Sequence, residues 1–209
     1  MARQHTRFGA RTNARSQALQ LLFQAEATGR MVVDVLAGEY ALSDGPLDSY
    51  AEQLAVGADS MLHELDAVLE MTSSNWSVRR MPAVDRNLLR LAVYEMLEVE
   101  DVDTAVVIDE CVELAKAYGT DESSAFVNGV LGRLAARLAA GEDVVALAVA
   151  AVEEAEAAKA QAAEADEQPS DEEDEYEDDL EEGYEEDLED AFYDDFDDYD
   201  GYDEDYPEE

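Results

Sequence analysis

Arg3, Arg7, Arg11 and Arg15 stand four residues apart, and no acidic residue precedes Glu26. In a helix, a spacing of four drifts only about 40° per step, so a folded arm would present these guanidiniums as one stripe. Such a stripe tracks a phosphate backbone, and the planar fork of arginine can also stack on a base. The alternative is a solvated terminus with chance spacing. A second constellation lies further along: at ~100° per residue, Phe126 falls off the apolar stripe of Val127, Leu131 and Leu134, on the flank of Arg133 and Arg137. An exposed ring with basic neighbours suits single-stranded RNA, because a base stacks on the ring while cations hold the backbone. A ring packed at the edge of a core is the other reading. Arg86, Arg90 and Tyr94 share a third stripe, open to a ligand or tied internally through Glu95 or Glu98.

Nothing in the chain is arranged for catalysis. One cysteine, Cys111, and two histidines, His5 and His63, offer neither a metal cluster nor a nucleophile with its base. There is no glycine-rich phosphate loop, and Asp109 with Glu110 or Glu113 reads as a solvated helix face. Cys111 reads as a small buried hydrophobe. A binding protein without metal or cofactor is the expectation.

The elements that must position these residues follow from composition and period. The chain has 209 residues and a net charge of −41, very unevenly spread. Residues 1–140 hold 12 of the 13 basic and 21 of the 54 acidic side chains, whereas residues 141–209 hold Lys159 and 33 acids. The basic face must therefore be judged on the first part alone. No apolar run is long enough for a membrane helix, and the N-terminus lacks the apolar stretch of a signal peptide, so a cytoplasmic protein is expected. Only Pro46 and Pro82 interrupt the first 165 residues, and the class is all-α. The spacing predicts helices over 14–29, with Thr12 or Asn13 as cap and Gly29 as stop, over 31–40, and over 48–71 as one long rod. Further helices are predicted over 83–98 and 104–118, the latter capped by Gly119 with Ile108, Val112 and Ala115 inward, and from just after Asp121 to about 138. Gly129, inside the last of these, suggests close approach of a neighbouring helix. The domain reading is an arginine-rich arm at 1–12, a helical domain at 13–140, an Ala-rich helical extension at 141–165, and a disordered acidic tail at 166–209.

The runs ARSQALQLLFQ at 14–24, VDRNLLRLAVYE at 84–95, IDECVELAKAYG at 108–119 and SSAFVNGVLGRLA at 123–135, together with Trp76, resemble the NusB family of transcription antitermination factors. The resemblance spans residues 11–138. It implies an all-helical fold of two packed three-helix subdomains, followed here by an acidic tail the family pattern lacks. It also implies binding of a single-stranded boxA element in nascent RNA together with NusE, a small-subunit ribosomal protein, and entry into an antitermination complex with RNA polymerase on ribosomal RNA operons. Monomer and homodimer both stay open. The family's arginine-rich segment supports Arg3, Arg7, Arg11 and Arg15 as RNA contacts, although here the arginines are spaced out rather than run together. The matching aromatic makes Phe126 an RNA contact, with Arg133 beside it; the LR position adds Arg90, and Asp85 matches a position that faces NusE. A rival reading is an interaction scaffold that works through the acidic tail.

Overall fold

The computed structural model describes residues 9–43, 45–73 and 76–166. Arg3, Arg7 and the acidic tail from residue 167 lie outside these. Among the described residues the fold is all-α: α1 (Ala10–Thr28), α2 (Val32–Leu36), α3 (Ser49–Ser60), α4 (Leu62–Ser73), a single 3₁₀ turn (Val78–Arg80), α5 (Ala83–Glu98), α6 (Thr104–Tyr118), α7 (Ser123–Ala139) and α8 (Val144–Asp166).

Helix α1 buries Ala14, Ala18, Leu21, Leu22 and Ala25, a stripe at helical spacing. It begins one turn earlier than its sequence suggests: Gly9 is the N-cap, its carbonyl accepting from the Asn13 amide at 2.8 Å, and Thr12 and Asn13 sit inside the helix. It stops at Gly29, whose φ of +63° is left-handed, and the Arg30 amide closes back on the Ala25 carbonyl at 3.0 Å. Helix α2 is shorter than its predicted span.

The rod predicted over 48–71 is broken. Met61, at φ −116° and ψ 21°, leaves the helical region, and Ser60 Oγ satisfies the Gly57 carbonyl at 2.7 Å just before it. The break lets one apolar pattern serve two sets of neighbours. Helix α3 packs on α1 and α5, whereas α4 packs on α5, α7 and α8.

Helix α5 occupies its predicted span and is central, as a segment apolar nearly all round should be. Leu88, Leu89, Leu91, Ala92 and Val93 are fully buried, and the helix touches α1, α3, α4, α6 and α7. Helix α6 also spans the predicted residues, capped by the Asp103 carboxylate on the Ala105 amide. Its buried face is Val107, Cys111, Leu114 and Ala115, so Ile108 and Val112 stand at the margin rather than inward. Cys111 is a buried small hydrophobe, and burial raises its thiol pKa well above the ordinary range. Helix α8 rests on α4 through Val144 and Ala148, while residues 153–161 are exposed.

One glycine reading needs correction. Gly129 has room around it, since an added Cβ would meet only Arg133 NH1 at 3.8 Å. Gly119 does cap α6, its amide on the Ala115 carbonyl at 2.9 Å, with extended backbone (φ −90°, ψ −165°), and glycine is needed there for space, because a Cβ would fall 2.4 Å from Ser123 Oγ. The close helix approach is instead at Gly57 of α3, where a Cβ would lie 2.0 Å from the Tyr94 ring of α5.

Candidate nucleic-acid interface

The arginines divide into those held by carboxylates and those left open. Arg15 does not continue an outer stripe. It is 1% exposed, and its Nε lies 2.7 Å from Oε2 of the fully buried Glu95 on α5. Tyr50 of α3 donates its hydroxyl to the same carboxylate at 2.5 Å, and Thr12 bonds Glu110 of α6. Burial alone would lower the Arg15 pKa, but the bond and charge of Glu95 outweigh it and raise the value above the ordinary one. Burial, then Glu95, likewise raises the Tyr50 phenol. The expectation of a phosphate contact by Arg15 is therefore overturned: the α1 face that carries it is the face that meets α5. Arg11, one turn earlier, is exposed, its guanidinium 5.4 Å from the centroid of the Tyr50 ring.

Arg90 is corrected in the same way. Its Nε and NH2 bond the two oxygens of Asp66 on α4 at 2.7 and 2.8 Å, and NH1 bonds Glu26 on α1 at 2.8 Å. Arg86 also pairs with Glu26, and its NH1 bonds the carbonyls of Val78 and Met81 at 3.2 and 2.7 Å. The bond from Arg86 lowers the Glu26 pKa, with burial opposing. These side chains clamp α1, α4 and α5 together around a cleft of about 450 Å³.

The open guanidiniums gather at the segment between α4 and α5. Phe126 of α7 is half-buried and meets Trp76 edge to face, with ring centroids 6.3 Å apart and planes at 64°. Trp76 is 54% exposed. Arg133, two turns beyond Phe126, is exposed and bonds the Thr72 carbonyl at 2.9 Å through Nε, at the end of α4 that leads into Trp76. Arg79 and Arg80, on the 3₁₀ turn, are exposed and have no side-chain partner among the described residues. Arg137 is instead paired with Glu142 at 2.7 Å. In the sequence, residues 72–84 read as a polar link without a period, so spacing does not single out Arg79 and Arg80. The signal there is two adjacent arginines three and four residues after the only tryptophan.

Below the two rings lies a cleft of about 410 Å³, lined also by Arg80, Pro82 and Asp85. Asp85, in the first turn of α5, is 3% exposed, and its Oδ1 accepts no hydrogen bond from the described residues. It also borders a second cleft, of about 280 Å³, formed with Phe23, Val84 and Tyr118. Phe23 is 43% exposed, an apolar ring beside a buried carboxylate. Among the described residues there is no cluster of His, Cys, Asp or Glu able to hold a metal, and no helix long and apolar enough to cross a membrane.

Fold and site together define an all-helical protein that offers aromatic rings and exposed guanidiniums on one side of a buried carboxylate and an apolar cleft on the other. The sequence profile of the NusB family matches residues 12–136. Transcription antitermination protein NusB of Salinispora tropica is 45% identical over 129 residues, which is 60% of this chain and 95% of that protein. The protein of the same name from Streptomyces coelicolor is 44% identical over 130 residues, 60% and 92% of the two chains. Among solved structures, T. maritima NusB aligns with a TM-score of 0.53 at 36% identity, covering 61% of this chain and 91% of that one. A chain in the crystal structure of a plectonemic RNA supercoil aligns with a TM-score of 0.51 at 28% identity, covering 61% and 96%. The chain belongs to the NusB family.

Proposed function

We propose that this chain is a transcription antitermination factor that binds single-stranded boxA RNA together with NusE and supports processive transcription of ribosomal RNA operons by joining the RNA polymerase antitermination complex. It acts by binding and performs no chemistry. The observation that carries the reading is the edge-to-face pair of Trp76 and Phe126 beside three exposed arginines, Arg79, Arg80 and Arg133. Rings that stack bases and cations that neutralise phosphates are the two components of single-strand recognition. Arg11, exposed at the start of α1, marks a separate basic region toward the other end of α5, and Arg3 and Arg7, outside the described residues, precede it in sequence. Family membership supplies the antitermination context.

Asp85 is the contact assigned to NusE. A carboxylate oxygen buried without a donor costs about 1–3 kcal/mol or more, and a donor from a partner seated against Phe23 would remove that cost. The two clefts share Asp85 as a wall, which supports binding of RNA and NusE to neighbouring surfaces. The test is fluorescence anisotropy of a labelled boxA oligonucleotide titrated with the protein, with and without NusE. Saturable binding that tightens with NusE, and loses that gain in Asp85→Lys, is the expected result. Equal affinity for boxA and a scrambled sequence under both conditions would overturn the reading.

A further inference from the structure

We propose that Trp76, rather than Phe126, carries the main stacked base of a bound RNA strand, and that Arg79 and Arg80 hold the phosphates flanking that base. The inference deepens the RNA-binding reading and rests on it. A planar base can lie flat on only one of two rings set at 64°. Phe126 is packed against the core and half-buried, whereas Trp76 keeps 54% of its surface open. The indole therefore offers the free face, and Phe126 holds the indole at its angle.

The 3₁₀ turn beyond Trp76 is fixed from below. The Glu70 carboxylate accepts from the Val78 amide at 2.9 Å and from Ser77 Oγ at 3.0 Å, Val78 itself is buried, and Arg86 bonds the carbonyls on either side of the turn. Ser73 Oγ donates to the Trp76 carbonyl at 2.6 Å, tying the ring's backbone to the end of α4. A turn pinned in this way presents its two arginines outward with little ordering left to do on binding. They also diverge. Arg80 borders the cleft beneath the rings, while Arg79 borders the neighbouring cleft around Arg86 and Arg90. Two phosphates on opposite sides of one stacked nucleotide fit that fork.

Charge sets the polarity of entry. The ring cleft is also lined by Asp85 and Glu122, which repel a phosphate and leave the depth of the cleft to a base edge. The phosphates stay at the rim with the arginines.

Trp76 is the only tryptophan in the chain, so its emission reports this site alone. The experiment titrates the full chain with a boxA-containing single-stranded oligoribonucleotide, following Trp76 emission and the anisotropy of a labelled RNA in parallel. The expected result is one isotherm from both signals. Trp76→Ala should then weaken binding by about tenfold or more, the size of one base stack, Trp76→Phe should recover most of that loss, and Phe126→Ala should cost less than Trp76→Ala. Arg79→Ala with Arg80→Ala should lower the slope of log affinity against log salt by about 1.4, at ~0.7 per phosphate. If anisotropy reports binding while Trp76 emission stays constant and Trp76→Ala binds like wild type, the stack lies elsewhere and this inference is overturned while the RNA-binding reading stands. If neither signal reports binding, both are overturned.

Discussion

Arg15, Arg86 and Arg90 differ from Arg79, Arg80 and Arg133 in one respect that their type and spacing do not reveal: what stands opposite them. The first three come from helices whose faces meet other helices, and each finds a carboxylate there, Glu95 for Arg15, Glu26 for Arg86, and Asp66 with Glu26 for Arg90. Arg79 and Arg80 sit on a short exposed turn and form no ion pair among the described residues, and Arg133 spends one nitrogen on a backbone carbonyl. A basic stripe read from sequence is therefore a question about the facing element. Where that element brings acid, the arginine holds the fold together. Where it brings none, the charge is left for a ligand.

The sharpest way to break this division is Arg15→Ala. Its removal strands the fully buried Glu95 carboxylate, and the expected loss is about 3–5 kcal/mol in urea unfolding. RNA affinity per folded molecule should not change; a fall in affinity with stability intact would move Arg15 into the ligand-binding set. Glu26→Gln gives a smaller effect with a defined sign. The Glu26 carboxyl titrates below its ordinary value of 4.5 in the folded protein, through its bond to Arg86 with burial opposing. Its contribution is therefore complete above the ordinary glutamate range and is lost as pH falls through the lowered pKa. Melting temperatures measured from pH 6 down to pH 3 should show the variant below wild type at the upper end, with the gap closing on the acid side. The smallest effect on stability belongs to Arg79→Ala and Arg80→Ala, each within about 0.5 kcal/mol of wild type by the same unfolding assay. A larger loss would show that the turn depends on them and would blur the line between the two sets.

Helices α5 and α6 were legible because their boundaries are written locally, in Pro82 before one and in the Asp103 cap of the other. The break at Met61 was not. Apolar spacing runs through it without a proline or glycine at the point of rupture, and its cause is the different partners of α3 and α4. The same limit governs the site. Phe126 stood out by its angle on α7, and the structure seats it against Trp76. The partner of Arg15 lies 80 residues away in the chain, so nothing near Arg15 marks it as buried. Arg79 and Arg80 are hidden for the opposite reason, because their segment lacks a period and reads as a link, although a loop held by a rigid scaffold is a common place for binding residues.

The contact between Gly57 and Tyr94 has a consequence for how this sequence can vary. There is less than a methyl group's clearance between the α3 backbone and the tip of the ring, so the two positions are coupled. A side chain at 57 would force the tyrosine ring aside, and a smaller residue at 94 would leave a gap that a side chain at 57 could fill. A substitution at either position is therefore felt at its counterpart, and the pair sets how closely α3 and α5 approach.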